Sequence, residues 1–382
     1  SLGVAASVIG LFMLINFMFL RIGYADKDET PSIAILPFEN KGAEADEFYA
    51  YGISSDLIAD VTSAGLIRVA SLSDVEKLDY KNIKNSELAK DLFVRYVAKG
   101  TLWKMDTLFQ LSMEIFDTKE SKVVYTKRWQ TNWTDLPTIK DDLSDNILET
   151  LEIKILQDPE KQILDSNPKA YAYYLEAKHR YDKRENKDDI EIARGLLNKA
   201  VELDDNLIKA KILLGATYFS VGEYDMAMDI YTSALKQAEL NGDKRGIGST
   251  LNQIGNIYYR KGEYDQASDH YNRSLKIMEE LGDKSGIGSG LNSIGIIYAI
   301  KGDYDKTLDY MSRSLTISEE LGDKSRIGTS FNNIGMLYRR KGEYDQALDY
   351  YRRSLKIREE LGQKSTIGMI FNNIGAIYWQ QG

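Results

Sequence analysis

LNQIGNIYYRKGEYDQASDHYNRSLKIMEELGDKSGIGSG, residues 251–290, is the stretch that decides the fold of the larger part of this chain. Residues 291–330 repeat its pattern, and the element Gly-Glu/Asp-Tyr-Asp begins at 222, 262, 302 and 342. A fixed period of 40 residues is typical of a stacked array of helical pairs. The sequence therefore predicts an all-α superhelical solenoid over residues 168–382, with about five repeats, the last of them truncated.

Two helices are predicted in each repeat. The first carries Leu251, Ile254, Gly255 and Tyr258, and spacings of three and four place these residues on one face. The glycine has no side chain, so it lets the second helix approach closely. A Leu-Gly-Asp-Lys-Ser element at 281–285 ends the second helix, and its glycine suits a left-handed helix end.

These residues resemble the tetratricopeptide repeat, in a 40-residue form similar to that of kinesin light chain and of mitotic-spindle scaffold proteins. The resemblance implies a concave groove, lined by the first helices, that binds a protein or peptide. An amide side chain offers a donor and an acceptor, which suits an extended peptide backbone. The alternative is that the asparagines tie adjacent helices together. The predicted groove residues are Asn252, Asn256, Asn292, Asn332, Asn333, Asn372, Asn373, Tyr259, Arg339 and Arg340.

Residues 31–157 alternate between strand and helix patterns in the order βαβαβββα, which predicts an α/β (α+β) domain with a mixed sheet. Within the fifth of these elements, apolar side chains such as Leu111 and Met113 alternate with polar ones. The predicted strands are 32–38, 67–72, 96–104, 108–116 and 123–129, and the predicted helices are 46–64, 86–93 and 136–156.

Three stretches of this region resemble the TolB-like domain of bacterial membrane signalling proteins. They are PSIAILPFEN from residue 31, EFYAYGISSDLIADV from residue 47, and VRYVAKGTLWKMDTLFQLSMEIFDTKES from residue 94. Gly52, Asp56 and Gly100 are among the shared positions, whereas Tyr51 replaces an acidic residue and Met105 begins a turn without glycine. The resemblance implies a fold and an association with signalling, and it implies no ligand.

Residues 1–20 contain no charged side chain. Twenty helical residues at about 1.5 Å each span roughly 30 Å, the thickness of a bilayer hydrocarbon core. We therefore expect a transmembrane helix over residues 1–24 of a single-pass protein of the bacterial inner membrane. A signal peptide and a buried helix are the alternatives. Few Lys or Arg follow this segment, but several acidic residues do, which favours an extracytoplasmic position for the rest of the chain.

Composition argues against several other classes of protein. The net charge of −9 disfavours nucleic-acid binding, which depends on Lys and Arg facing phosphates. The chain has no cysteine and only two histidines, so we predict no catalytic, cofactor or metal site. Asp56 and Asp60 lie one helical turn apart, and we interpret them as a solvated helix face and not as a general acid/base pair.

Three functions fit these patterns. The first is a membrane-anchored, non-enzymatic scaffold or sensor whose groove binds a partner. The second, implied by the resemblances, is the C-terminal part of an adenylate or guanylate cyclase, or of a kinase, whose catalytic domain precedes Ser1. The third is a structural component of the cell envelope. The first helix of the last repeat has no second helix, so the natural chain is expected to continue beyond Gly382.

Overall fold

The computed structural model of the protein describes residues 31–65, 67–151 and 167–381. The predicted transmembrane helix over residues 1–24 lies outside these ranges. Inside them, no helix has both the length and the apolar content that crossing a membrane requires. Ser32–Gly382 form one compact unit, in which an α/β region is followed by a helical array.

A mixed sheet forms the α/β region and confirms the predicted fold class. Its order is β3-β1-β4-β5-β6, with β2 beside β4. Strand β1 is parallel to β3 and β4, whereas β4, β5 and β6 pair antiparallel. The strands are β1 (Ser32–Ile35), β2 (Glu39–Asn40), β3 (Arg68–Val69), β4 (Tyr96–Met105), β5 (Leu108–Asp117) and β6 (Lys122–Asn132).

Helices cover both faces of the parallel part of the sheet. Neighbouring residues of a strand point to opposite faces, so Ile33 packs in the core beneath α1 and α4, and Ala34 packs against α2 and α3. The helices are α1 (Glu47–Ser63), α2 (Leu72–Val75), α3 (Asn85–Asp91) and α4 (Leu136–Thr150).

The predicted ends of two strands were wrong because serine side chains accept hydrogen bonds from backbone N–H groups there. Strand β1 stops early, since Pro37 has no N–H and the N–H of Phe38 donates to Ser54 Oγ at 2.8 Å. Strand β3 is only two residues long. The Ser71 side chain accepts a hydrogen bond from the Asp74 N–H at 3.2 Å and begins helix α2, which the sequence patterns did not indicate.

The array consists of five complete helical pairs and one further first helix within the described residues. The helices are α5 (Pro168–Asp182), α6 (Lys187–Leu203), α7 (Ile208–Ser220), α8 (Tyr224–Asn241), α9 (Lys244–Lys261), α10 (Tyr264–Leu281), α11 (Lys284–Lys301), α12 (Tyr304–Glu320), α13 (Lys324–Lys341), α14 (Tyr344–Glu360) and α15 (Lys364–Gln381). The odd-numbered helices from α5 onward are the first helices of the repeats. Gly282 has φ +67° at the end of α10, so the predicted left-handed helix end is confirmed.

The core beneath the sheet continues into the first two helical pairs. Leu111 of the sheet, Leu175 of α5 and Leu197 of α6 are all fully buried and belong to one cluster. A Cβ on Gly52 of α1 would lie 2.8 Å from Leu175 Cδ2, so α1 and α5 pack closely only because this residue is glycine. The sheet region therefore covers the apolar surface of the first repeat, which a solenoid otherwise protects with a polar cap.

Glycine at the helix crossing has the packing role that the sequence predicts. A Cβ on Gly255 of α9 would lie 2.6 Å from the ring of Tyr271 of α10, whose side chain is 2% exposed. Gly375 occupies the same repeat position in α15, and no atom lies within 4 Å of a Cβ placed there.

These two glycines form a matched pair for mutation. We expect Gly255→Ala to lower the free energy of unfolding by about 1–3 kcal/mol, because the buried ring cannot withdraw. Gly375→Ala should leave stability unchanged or raise it by up to about 1 kcal/mol, since alanine favours helix. Urea denaturation followed by circular dichroism measures both. Equal losses in the two variants would contradict the crossing as the cause.

Candidate functional site

A row of asparagines crosses the first helices of neighbouring repeats. Asn252, Asn292, Asn332 and Asn372 lie at equivalent positions of α9, α11, α13 and α15. The first three are half-buried and the last is exposed. The structure thus brings these predicted residues together along one surface of the array.

Hydrogen bonds between carboxamides join this row. Asn333 Nδ2 donates to Asn292 Oδ1 at 3.0 Å, and Asn373 Nδ2 donates to Asn332 Oδ1 at 3.2 Å. Each of these hydrogen bonds links the first helix of one repeat to the first helix of the next. These asparagines therefore tie adjacent helices together. Among the described residues, the Oδ1 of Asn252 is buried without a partner. The equivalent donor position in the next repeat holds a serine, residue 293, whose side chain is shorter.

A cleft of about 390 Å³ lies between α13 and α15, beside the row. Met336 and Met369 supply apolar surface beside the fully buried Ile370, and three carboxamides also belong to the lining. Such a lining accepts one apolar side chain and offers hydrogen bonds to an extended backbone. The lining residues are Asn332, Met336, Thr366, Met369, Ile370, Asn372 and Asn373.

Seven of the ten predicted groove residues do not line this cleft. Three of the seven belong to the asparagine row and its hydrogen bonds, and the other four have different contacts. Asn256 Oδ1 accepts a hydrogen bond from the hydroxyl of Tyr271 at 2.8 Å, so its carboxamide stabilises the crossing of α9 and α10. Arg340 Nη1 donates to the carbonyl of residue 299 at 3.0 Å. The ring of Tyr259 lies 6.1 Å from that of Tyr264, and Arg339 is half-buried.

Sequence reasoning missed the apolar half of the cleft. Met336 occupies the repeat position that Asn256 holds in α9, and Met369 is 57% exposed. Comparing equivalent positions of the repeats shows this exchange of an amide for an apolar side chain, so the signal was present in the sequence.

A second cluster, buried between α1 and α5, contradicts the interpretation of Asp56 as a solvated residue. Its side chain is 2% exposed. One carboxylate oxygen accepts hydrogen bonds from Tyr174 Oη at 3.0 Å and Lys178 Nζ at 2.9 Å, and the other accepts from Tyr171 Oη at 3.0 Å. Lys209 Nζ of α7 lies 3.7 Å from the carboxylate. The prediction failed because all four partners belong to the array, far along the chain.

Asp60 lies one turn further along α1 and is also paired. Its carboxylate lies 2.6 Å from Lys140 Nζ of α4 and 3.2 Å from Lys209 Nζ. The cluster therefore joins three helices through α1, with charges that lie largely out of solvent. We call Asp56, Asp60, Lys140, Lys178, Lys209, Tyr171 and Tyr174 the ionic cluster.

The lysines keep both carboxylates ionised. Burial alone would raise the pKa of Asp56, but Lys209, Lys178 and Lys140 outweigh it and hold that pKa well below its ordinary value. The pKa of Asp60 is lowered in the same way, against burial, by Lys209 and Lys140. Such a cluster stabilises one arrangement of the helices and offers no free acid or base. Among the described residues, no group of three or more His, Asp or Glu is arranged to hold a metal ion.

Comparison with known proteins confirms the repeats. Residues 206–280 and 287–360 match the tetratricopeptide repeat family. The chain is also 22% identical over 184 residues to a protein of Rhizobium meliloti (strain 1021) named "Putative adenylate cyclase 3". The match covers 47% of this chain and 31% of that protein, so the chain spans less than a third of that relative's length.

Solved structures that the chain matches in part include BtubC (BKLC) from P. vanneervenii and a signal transduction ATPase with a tetratricopeptide repeat sensor from Pyrococcus horikoshii. The first is 19% identical with a TM-score of 0.45, over 60% of this chain and 91% of that chain. The second is 18% identical with a TM-score of 0.49, over 65% of this chain and 40% of that chain.

Removing one charge of the ionic cluster should be costly. We expect Asp56→Asn to lower the free energy of unfolding at neutral pH by about 3–5 kcal/mol, because Lys178 loses its anion and two buried tyrosine hydroxyls lose a charged acceptor. Lys140 and Lys209 keep Asp60 as a partner. The control is Asp265→Asn, which breaks a 2.6 Å ion pair with Lys301. The side chain of Asp265 is 93% exposed. That loss should stay within about 1 kcal/mol.

The same pair of variants predicts a dependence on pH. The pKa of Asp56 is lowered in the folded state, so its contribution is present above its ordinary value and is lost as pH falls through the lowered value. The difference between wild type and Asp56→Asn should therefore shrink below about pH 4. Urea denaturation at a series of acidic pH values measures the difference in the free energy of unfolding between the two proteins. A difference that stays constant as the pH falls would contradict the lowered pKa of Asp56.

Proposed function

We propose that this chain is a protein-binding scaffold whose cleft between α13 and α15 holds an extended segment of a partner. The observation that carries the proposal is the juxtaposition of Met336, Met369 and Ile370 with three carboxamides in one cleft. Apolar side chains supply affinity through burial, and carboxamides read the backbone without demanding a particular sequence. The tetratricopeptide repeats support this class of function.

The most accessible carboxamide of the cleft is that of Asn372. Its side chain is exposed and makes no hydrogen bond within the described residues, whereas Asn332 and Asn373 bond to each other. Asn372 and Met369 are therefore the two side chains that a ligand meets without breaking a contact between repeats. This distinction lets binding be tested apart from stability.

The test uses an array of short synthetic peptides probed with the purified chain. The double variant Asn372→Ala with Met369→Ala should weaken binding to the peptides that wild type captures by about tenfold or more, since one hydrogen bond and one buried side chain are lost. The matched control is Asn272→Ala, which removes an exposed amide on α10. Peptides bound equally by all three proteins, or no bound peptide at all, would contradict the cleft as the binding site.

We further propose that this scaffold is the regulatory part of a membrane signalling protein. The catalytic domain that we propose for that protein is a nucleotidyl cyclase. The uncharged segment at residues 1–20 and the TolB-like motifs support the membrane and signalling parts of this proposal. The relative named as an adenylate cyclase supports the catalytic part. We expect the coding sequence upstream of Ser1 to encode a nucleotidyl cyclase domain. A start codon immediately before Ser1 would contradict this.

A further inference from the structure

The α/β region meets the solenoid at a second place, beyond the ionic cluster. Helix α1 also contacts α11, three repeats further along the array than α5. A Cβ built on Gly65, just after α1, would lie 1.9 Å from the carbonyl oxygen of Gly282. A Cβ built on Gly322 would lie 1.8 Å from Arg68 Nε. Both solenoid glycines belong to loops that join consecutive repeats, so two neighbouring loops touch the α/β region.

Phe93 completes this contact from the end of α3. Its φ is +55°, in the left-handed region where glycine is the usual residue, and its side chain is 58% exposed. The ring faces Lys324 Nζ at 4.8 Å and the guanidinium carbon of Arg68 at 6.0 Å. An aromatic residue at a strained and exposed position has no packing reason to be there. Its contact with the two cations supplies one.

The two contacts differ in kind. The ionic cluster is buried, and its opening would expose paired charges and the apolar surface around them. The second contact is smaller and consists of the buried Gly65, two half-buried loop glycines, the half-buried Arg68 and the exposed Phe93 ring with a cation. The repeats between the two contacts are held mainly by their neighbours, so the array can change curvature by small steps at each repeat.

We propose that Gly65, Arg68, Phe93, Gly282, Gly322 and Lys324 form a latch that holds the far part of the solenoid against the α/β region and opens while the ionic cluster stays closed. The chain then has a closed form and an open form. Lys324 is the first residue of α13, so the latch restrains the helix that carries one wall of the cleft. This device does not depend on the identity of any partner.

The test measures a distance across the latch. The chain has no cysteine, so Asp91→Cys and Glu319→Cys introduce two unique labelling sites. Both native side chains are exposed and neither belongs to the latch. Nitroxide labels at these sites, read by pulsed electron paramagnetic resonance, should give one predominant short distance in the otherwise wild-type protein. Gly65→Ala should add a longer population, because a Cβ cannot fit beside the Gly282 carbonyl.

Two further variants separate the latch from local strain. Gly362→Ala is the matched control, since Gly362 has φ +63° and nothing lies within 4 Å of a Cβ placed there. It should leave the distance unchanged. Phe93→Gly relieves the left-handed strain, so the melting temperature should stay equal or rise while the longer population still appears.

The outcomes decide the proposal. A longer population with Gly65→Ala and Phe93→Gly, and none with Gly362→Ala, supports a latch. An unchanged distance in both latch variants would show static packing and overturn it. Equal broadening with Gly65→Ala and Gly362→Ala would assign the effect to backbone strain and also overturn it. If Gly65→Ala fails to fold, Phe93→Gly alone decides, because removing its side chain strains no backbone.

Discussion

A buried carboxylate needs its cations, and Asp56 has them only while α5 and α7 stay against α1. Tyr171, Tyr174 and Lys178 bond to it from one repeat, and Lys209 approaches from the next. Separating the helices would break these hydrogen bonds and ion pairs and would expose the apolar core around them to water. The α/β region and the first two repeats therefore behave as one body, from which the rest of the array extends.

Beyond these first two repeats, the backbone of the array is regular, whereas the side chains at equivalent positions differ between repeats. Each complete repeat contains the same pair of helices, but the asparagines of the row make different contacts in different repeats. At Asn292 and Asn332 the carboxamide oxygen bonds to the next repeat, and at Asn372 the carboxamide is exposed. The helix-tying interpretation is therefore confirmed for these bonded asparagines. Groove binding stays a prediction, which concerns above all the exposed Asn372.

The position of the proposed cleft follows from these differences in side chains between repeats. It lies where Met336 replaces the amide that Asn256 provides in α9, so apolar surface meets the exposed carboxamide of Asn372. The ionic cluster anchors the opposite end of the array, and the proposed latch lies between them. A partner that binds the cleft would thus act on α13 and α15, and the proposed latch restrains α13 through Lys324. Such an arrangement suits a regulatory scaffold, which must respond to a partner without unfolding.

By itself the sequence determined the period of the array, its helices and the close approach of Gly255 to Tyr271, because each depends on residues within one 40-residue unit. Strand alternation in β5 was equally local and equally readable. The roles of Asp56 and Asp60 depend on tertiary structure alone, because their partners in the array lie at least 115 residues away. The ends of the short strands β1 and β3 were also beyond local patterns, whereas the exchange of Asn256 for Met336 at the cleft was present in the sequence. Burial, pairing and accessibility arise from what packs against a residue, and a one-dimensional pattern does not contain that information.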